Sequence, residues 1–501
     1  MTRSNFQKAF AAATVLVLGC VTFVVQGQSQ DEAAQRRYDS GRAFYDAGKY
    51  TEALRDFQVV IDSYPTSPVA DKALLDIATY QLDVVGDPSA ASASVETLLK
   101  KYPNAASAPM ALVMQGRITL AKGLSGANLD EALANFDRVP RLFPGSDAVP
   151  AALYNAGVAM RLAGRAEAFD RFSQVSMEYP SSIWAARARL GLGIGFTLNG
   201  NPTRAMQELQ RVRTAFPGTG EATAAMAWNT ILYRLYIRPP AQPPYALAKR
   251  SISGPAGKIK DVLALGVDGA NRLFVVNKSA VQIFDEKGGP LAPLRDAVPT
   301  GIFFDTRGLP VTITETALSP AGRPSLTLAV PQPDGKVREI RGVTAGVTLP
   351  NGDYLVANRD QKVIERFAPA GTFVGRFASG EVDRLAIDFL GNVAALEGNA
   401  KTVTIFNRDG KQVGRIQPRG AGYELREPVD LAFDALGHLY VLDRNRGTVF
   451  VFSNDATRLV TSFSLPDKAP GAFFHAKALG LDSAGRLYIF DDQAERIQIY
   501  Q

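Results

Sequence analysis

Apolar positions along this chain follow two rhythms. From residue 31 to about 236 they recur at steps of three and four. Ala53, Phe57 and Val60 show the spacing first, and it returns in Ala91, Val95 and Leu98, in Ala132, Phe136 and Val139, in Ala168, Phe172 and Val175, and in Ala205, Leu209 and Val212. Each set is one apolar stripe of an α-helix. From residue 245 onward the pattern shortens to runs such as Leu439-Tyr440-Val441-Leu442 and Leu487-Tyr488-Ile489-Phe490, set between turn residues. Such runs read as strands packed against neighbouring sheets. Between the halves lies Arg238-Pro239-Pro240-Ala241-Gln242-Pro243-Pro244. It cannot continue a helix and favours an extended polyproline form, so residues 237–244 read as a stiff spacer and domain boundary.

In the helical half each stripe runs into an aromatic-proline pair: Tyr64-Pro65, Tyr102-Pro103, Phe143-Pro144, Tyr179-Pro180 and Phe216-Pro217, with the prolines 38, 41, 36 and 37 residues apart. That period suits a helix pair. In the first unit Gly41 and Ala53 let two antiparallel helices approach, Phe44 and Phe57 fill the groove between them, Gly48-Lys49 makes the turn, and Pro65 ends the second helix. The fourth unit repeats the scheme with Ala156 and Ala159, the fifth with Gly193 and Phe196. The third carries an insertion around Gly123 to Asn128, which predicts a longer loop between its helices; in the second, Gly86-Asp87-Pro88 breaks the pattern early. Glu221 to Tyr236 reads as one more, capping helix, with Trp228 packed on the last pair. Residues 31–236 resemble the tetratricopeptide (TPR) repeat. Their Tyr-Pro or Phe-Pro endings are similar to those of TPR modules in bacterial envelope proteins, including outer-membrane assembly lipoproteins and cell-division coordinators. The resemblance implies an N-terminal α-solenoid of about five helix pairs, whose concave face takes an extended peptide or a helix of another protein.

In the second half an Asp or Asn, a turn with Gly, and a Leu-Tyr-Val type strand recur six times, marked by Asp268, Asp305, Asn351, Asp388, Asp434 and Asp482. The last unit, Leu479 to Tyr500, closely resembles the NHL repeat, and the fifth, Leu431 to Phe452, fits nearly as well. The resemblance implies a C-terminal six-bladed β-propeller over residues 245–501, with the blade aspartates serving the turns. The second unit lacks a clean third strand and holds Pro310, Pro320 and Pro324, so its blade is expected to be irregular. The sixth unit ends after its third strand. Residues 245–253 are expected to pair beside Ile497 to Tyr500 and close the ring.

Composition narrows the class little: 46% hydrophobic and 21% charged residues suit packed domains. The net charge of +6 divides as about +2 over residues 1–30, +1 over 31–240 and +3 over 241–501, too diffuse for a nucleic-acid footprint. Arg3 and Lys8, the uncharged run Ala9 to Val25 and the polar Gln26 onward resemble a Sec signal peptide over residues 1–27, leaving Gln28 as the mature start. Val17-Leu18-Gly19-Cys20 also resembles a lipobox in which Cys20 would be acylated, and the apolar run past Cys20 allows an uncleaved anchor. All three place the body outside the cytoplasm. Cys20 is the only cysteine, so a cleaved chain would form no disulfide and no thiolate metal site.

The two histidines, His438 and His475, fall in different blades, are expected to play surface or loop roles, and have no third ligand in view. No phosphate-binding Gly loop, paired catalytic acids or serine nucleophile elbow occurs. No catalytic residue, metal or cofactor is therefore expected. Arg187, Arg189, Arg204, Arg211 and Arg213, with Arg234 and Arg238, gather toward the end of the helical half. They form either a site for an acidic segment or anionic glycan, or a solvated helical face. The expectation is an exported, non-enzymatic scaffold, periplasmic or outer-membrane associated, whose helical groove and propeller face bind separate partners, either envelope proteins or cell-wall glycan. The alternative is a calcium- or zinc-dependent propeller hydrolase or lyase with a TPR targeting module.

Overall fold

Each aromatic-proline pair is a helix stop. In the computed structural model, which describes residues 30–239, 242–254, 257–294, 299–332, 334–445, 447–464 and 475–501, Tyr64, Tyr102, Phe143, Tyr179 and Phe216 all sit at C-caps. Their φ lies between −134° and −126°, and each N–H donates to the carbonyl four residues back. The proline that follows bars its predecessor from the α region, so the chain must leave the helix there. The signal-peptide, lipobox and anchor readings, Cys20 among them, lie outside the described residues. Among the described residues no helix is long and apolar enough to cross a membrane.

Eleven helices lie between residues 30 and 237, and a six-bladed β-propeller follows. The chain divides into two compact units, residues 1–163 and 164–501. Within the first are α1 (residues 30–46), α2 (Tyr50–Ser63), α3 (Ala70–Tyr80), α4 (Pro88–Lys101), α5 (Ala108–Ala121), α6 (Gly126–Leu142) and α7 (Val149–Leu162). The i, i+4, i+7 stripes are its core: Ala53, Phe57, Val60, Ala91, Val95 and Leu98 are all buried. A Cβ on Gly41 would stand 2.7 Å from the Phe57 ring, so glycine is what lets α1 close on α2. Burial of a ring like Phe57 stabilises by roughly 1.5–3 kcal/mol. The Tyr102 hydroxyl also donates to the Pro65 carbonyl at 2.6 Å, tying one helix stop to the previous one.

Two expectations for these pairs change. The third-unit insertion does not lengthen a loop, because only residues 122–125 separate α5 from α6. It is absorbed as an added turn of helix, making α6 17 residues long against 14 in α2 and α4. Ser125 caps the added turn by accepting from the Asn128 N–H, and the Asn128 amide donates to the Gly123 carbonyl. In the second unit Gly86-Asp87-Pro88 is punctuation between complete helices. A π turn over Gln81–Val85 ends at Gly86 with φ 74°, Asp87 accepts from Ser89 N and Ala90 N, and Pro88 opens α4.

The second unit begins with α8 (Ala168–Glu178), α9 (Ile183–Leu198), α10 (Pro202–Ala215) and α11 (Gly220–Leu232), the last running into a π turn over Tyr233–Ile237. Five sheets of four consecutive strands follow, and the sixth blade takes its outer strand from Leu247–Ile252, antiparallel to Arg496–Tyr500. The second strand of the first, third, fifth and sixth blades is buried along its whole length, as the near-continuous apolar runs require. In the second blade the third strand is present at Ala317–Pro320. The irregularity lies in an outer strand of two residues, Leu326–Thr327, followed by a separate hairpin of Ala329–Pro331 with Val337–Glu339.

Residues on either side of the joint share one core. One apolar cluster runs from Leu209, Val212, Ile231 and Leu232 through Tyr245 to Tyr440, Leu442 and Leu487. Tyr245 is fully buried, stacks on Phe463 with ring centroids 4.9 Å apart, and shares a 2.8 Å hydrogen bond with the Tyr440 hydroxyl. The Arg234 guanidinium lies over the Tyr245 ring at 5.1 Å and donates to the Gly485 carbonyl at 3.1 Å. Arg238 holds the joint itself through Gln242 and the Pro244 carbonyl. Tyr245 supplies what the prolines could not reveal, an aromatic anchor that draws the last helices onto the blades.

Candidate functional site

The blade aspartates fold the turns that carry the site. Asp268, Asp388, Asp434 and Asp482 each accept the N–H groups two and four residues on, and each also binds the side chain of the residue four on: Arg272, Asn392, His438 and Arg486. Asp305 makes the same backbone pattern and pairs with Arg307. His438 is thus the fifth blade's version of a repeated turn.

His438 lies in a turn between strands, as expected, but not at the surface. Its ring is only 3% exposed, with Nδ1 2.8 Å from Asp434 Oδ2 and Nε2 2.8 Å from the Tyr236 hydroxyl. A carboxylate only accepts, so Nδ1 carries a proton, and in the neutral ring Nε2 is left to accept from the phenol. The Tyr440 hydroxyl reaches the same carboxylate at 3.4 Å. Burial pushes the Tyr236 and Tyr245 phenols up to about 12 and Tyr440 well above its ordinary value. A chain of hydrogen bonds therefore joins the end of the helices to the fifth blade. Beside it lies a cleft of about 280 Å³ between the end of α9 and that blade, lined by Thr197, Asn199, Tyr236, His438, Asp455 and Arg458 among others. His475 stands apart, exposed and 3.5 Å from Asp492.

The first strands of all six blades line a second cavity of about 280 Å³ along the propeller axis. Its charged groups are Arg384 and Asp430, with Nε and Oδ1 3.6 Å apart. Asp430 accepts from the backbone of Leu431 and Leu479, and Arg384 donates to the carbonyls of Asp383 and Leu263. Burial raises the Asp430 carboxyl above its usual range. Among the described residues no group of three or more His, Cys, Asp or Glu side chains is arranged to hold a metal ion.

Of the five arginines singled out in the sequence, three pair with acids of α10 and α11. Glu208 takes both Arg189, at 2.8 Å, and Arg211, while Arg187 pairs with Glu221 at 2.9 Å and stacks over Trp184. Arg204 lies over Phe196, and Arg213 donates to Gln210. Sequence reasoning passed over Tyr236, Asp434 and Asp455. The signal for Asp434 was the register of the turn, since His438 stands four residues after Asp434 as Arg486 does after Asp482, whereas no sequence signal pointed to Tyr236.

Residues 30–193 match the profile of a family described as outer membrane lipoprotein (YfiO), and residues 425–452 match the NHL repeat. No curated protein matches the chain. Solved structures similar to part of this chain include an auxiliary nutrient binding protein from Bacteroides ovatus, 14% identical, with TM-score 0.40 over 51% of this chain and 72% of that one. A streptogramin B lyase is 9% identical with TM-score 0.38, over 51% of this chain and 97% of that one. The virginiamycin B lyase of Staphylococcus aureus is 10% identical with TM-score 0.34, over 49% and 82%. At these identities none of the three bears on activity or partner. The chain joins a TPR-like segment similar to outer membrane lipoproteins of the YfiO type to a six-bladed propeller carrying an NHL repeat.

Proposed function

We propose that this protein is a non-enzymatic binding scaffold of the bacterial envelope, with a helical surface and a propeller face that take separate partners, envelope proteins or cell-wall glycan. The observation that carries this reading is the match of residues 30–193 to an outer membrane lipoprotein family. Export through the N-terminal segment, by signal cleavage or by acylation at Cys20, belongs to the same proposal. The chemistry of the central cavity supports it too: Arg384 and Asp430 are held by each other and by backbone groups, as in a structural plug.

On the helical side Tyr45, Tyr50 and Tyr80 form a half-exposed aromatic patch, with centroids 5.3 Å apart in each successive pair and Arg42 over Tyr45. Tyrosines of this kind give large contact area at little cost in side-chain entropy. The arginines Arg187, Arg189, Arg204, Arg211 and Arg213 contribute less, because internal acids already engage three of them.

The test is affinity purification of the tagged full chain from solubilised membranes. Recovery of a specific envelope protein, reduced when Tyr50 and Tyr80 are changed to Ala, supports the scaffold. A stoichiometric metal by elemental analysis, with turnover that is lost on chelation, would replace it with a propeller enzyme.

A further inference from the structure

We propose that the cleft between the end of α9 and the fifth blade is a binding site for a small neutral saccharide. The inference deepens the glycan half of the proposed function and rests on that reading for its choice of ligand. The cleft holds about 280 Å³, near the lower end of the roughly 300–1,000 Å³ usual for ligand pockets, so it suits one small ligand.

Its lining decides the chemistry. Hydroxyls come from Tyr236, Ser453 and Thr457, amides from Asn199 and Asn454, a carboxylate from Asp455 and a guanidinium from Arg458. Leu198 and Leu436 are its aliphatic members, too few for an apolar guest. An anion would meet the Asp455 carboxylate and the carbonyl end of α9, where the helix dipole is negative; a cation would meet Arg458. A guest with many hydroxyls and no charge can both donate to and accept from this set.

Two side chains are prepared for such a guest. Asp455 accepts from Ser453 Oγ, Thr457 N and Thr457 Oγ1 through Oδ1, which orients the carboxylate, and among the described residues no other side chain bonds to Oδ2. Burial works against ionisation of Asp455, yet these hydrogen bonds outweigh it and hold the carboxyl below its usual range. On the other wall the Asp434–His438 pair fixes the Tyr236 phenol, which the Arg458 side chain also reaches with a hydrogen bond, so phenol and guanidinium are held together at the cleft. A site whose polar groups are oriented before binding loses less entropy on binding.

The test uses the purified full-length protein and three probes at millimolar concentration: glucose, N-acetylglucosamine and sodium acetate. Saturation transfer from protein to the ring protons of at least one sugar is expected, with affinity weakened about tenfold or more in Asp455→Asn and in Arg458→Ala and no change in melting temperature. Both residues are exposed at the rim, so neither change threatens folding. Transfer to neither sugar, sugar binding unchanged in both variants, or acetate bound in place of the sugars would overturn the proposal. The membrane purification above is read independently, so loss of this site leaves the scaffold standing.

Discussion

Helices α1–α7 and helices α8–α11 share one repeat signature and differ in what they pack against. The core around α1–α4 is built from helix residues such as Phe57, Val60, Val95 and Leu98. That of α9–α11 continues without a break into Tyr440, Leu442 and Leu487 of the propeller. Charge differs as well. Residues 30–163 hold sixteen Asp and Glu against thirteen Lys and Arg, a net −3, whereas residues 164–237 hold five against eight, a net +3. The repeat stripe specifies how one helix meets its partner; the other faces are free to specialise. In the first set they leave tyrosines half exposed, and in the second they are consumed by a docking surface.

The comparison can be broken most sharply at Tyr245. Changing Tyr245 to Ala removes a fully buried ring and its hydrogen bond, which should cost about 3–5 kcal/mol and lower the melting temperature of residues 164–501. Phe57→Ala should cost a similar ~3–5 kcal/mol but act on the first unit, leaving amide exchange in the propeller strands unchanged. If both substitutions soften the same segments, the division into two units is wrong.

Alkaline pH should loosen the junction. Tyr236 and Tyr245 titrate at about 12 in the folded protein against about 10 when unfolded. A raised folded value means that their contribution is complete below pH 10 and is lost as pH climbs through 12. Thermal melts from pH 8 to 12 should therefore fall in the upper part of the range, and less steeply in Tyr245→Phe. His438→Gln, which leaves Asp434 with a poorer partner, should cost about 1–3 kcal/mol by chemical denaturation and weaken α11 more than α2. The smallest effect is expected from Arg213→Ala, whose side chain is exposed and bonded to Gln210; its melting temperature should match that of the parent chain.

The helix pairs were legible because period and punctuation agree: an apolar stripe at i, i+4, i+7 ending in an aromatic-proline stop has few other solutions. The blades were legible for the same reason, since a carboxylate that closes each turn leaves a fixed mark in the sequence. The insertion at Gly123 to Asn128 was misread because Gly and Asn suit a loop and a helix cap alike, and only Ser125 and the contact of Asn128 with Gly123 decide between them. The prolines of the joint report local stiffness and are silent about what stands next to them. Tyr245, one residue past the last proline, makes its decisive contacts with Tyr440 and Phe463, about two hundred residues further along. His438 was missed on the same ground, since its partner Tyr236 lies across the fold.

The most direct test of the shared core is hydrogen exchange, read by mass spectrometry, on the intact chain and on Tyr245→Ala. A common core predicts that exchange rises together in α11, in Leu247–Ile252 and in the strands Leu439–Asp443 and Leu487–Asp491, while α2 is unaffected. A rise confined to residues 238–252, with α11 and both strands as protected as before, would contradict it.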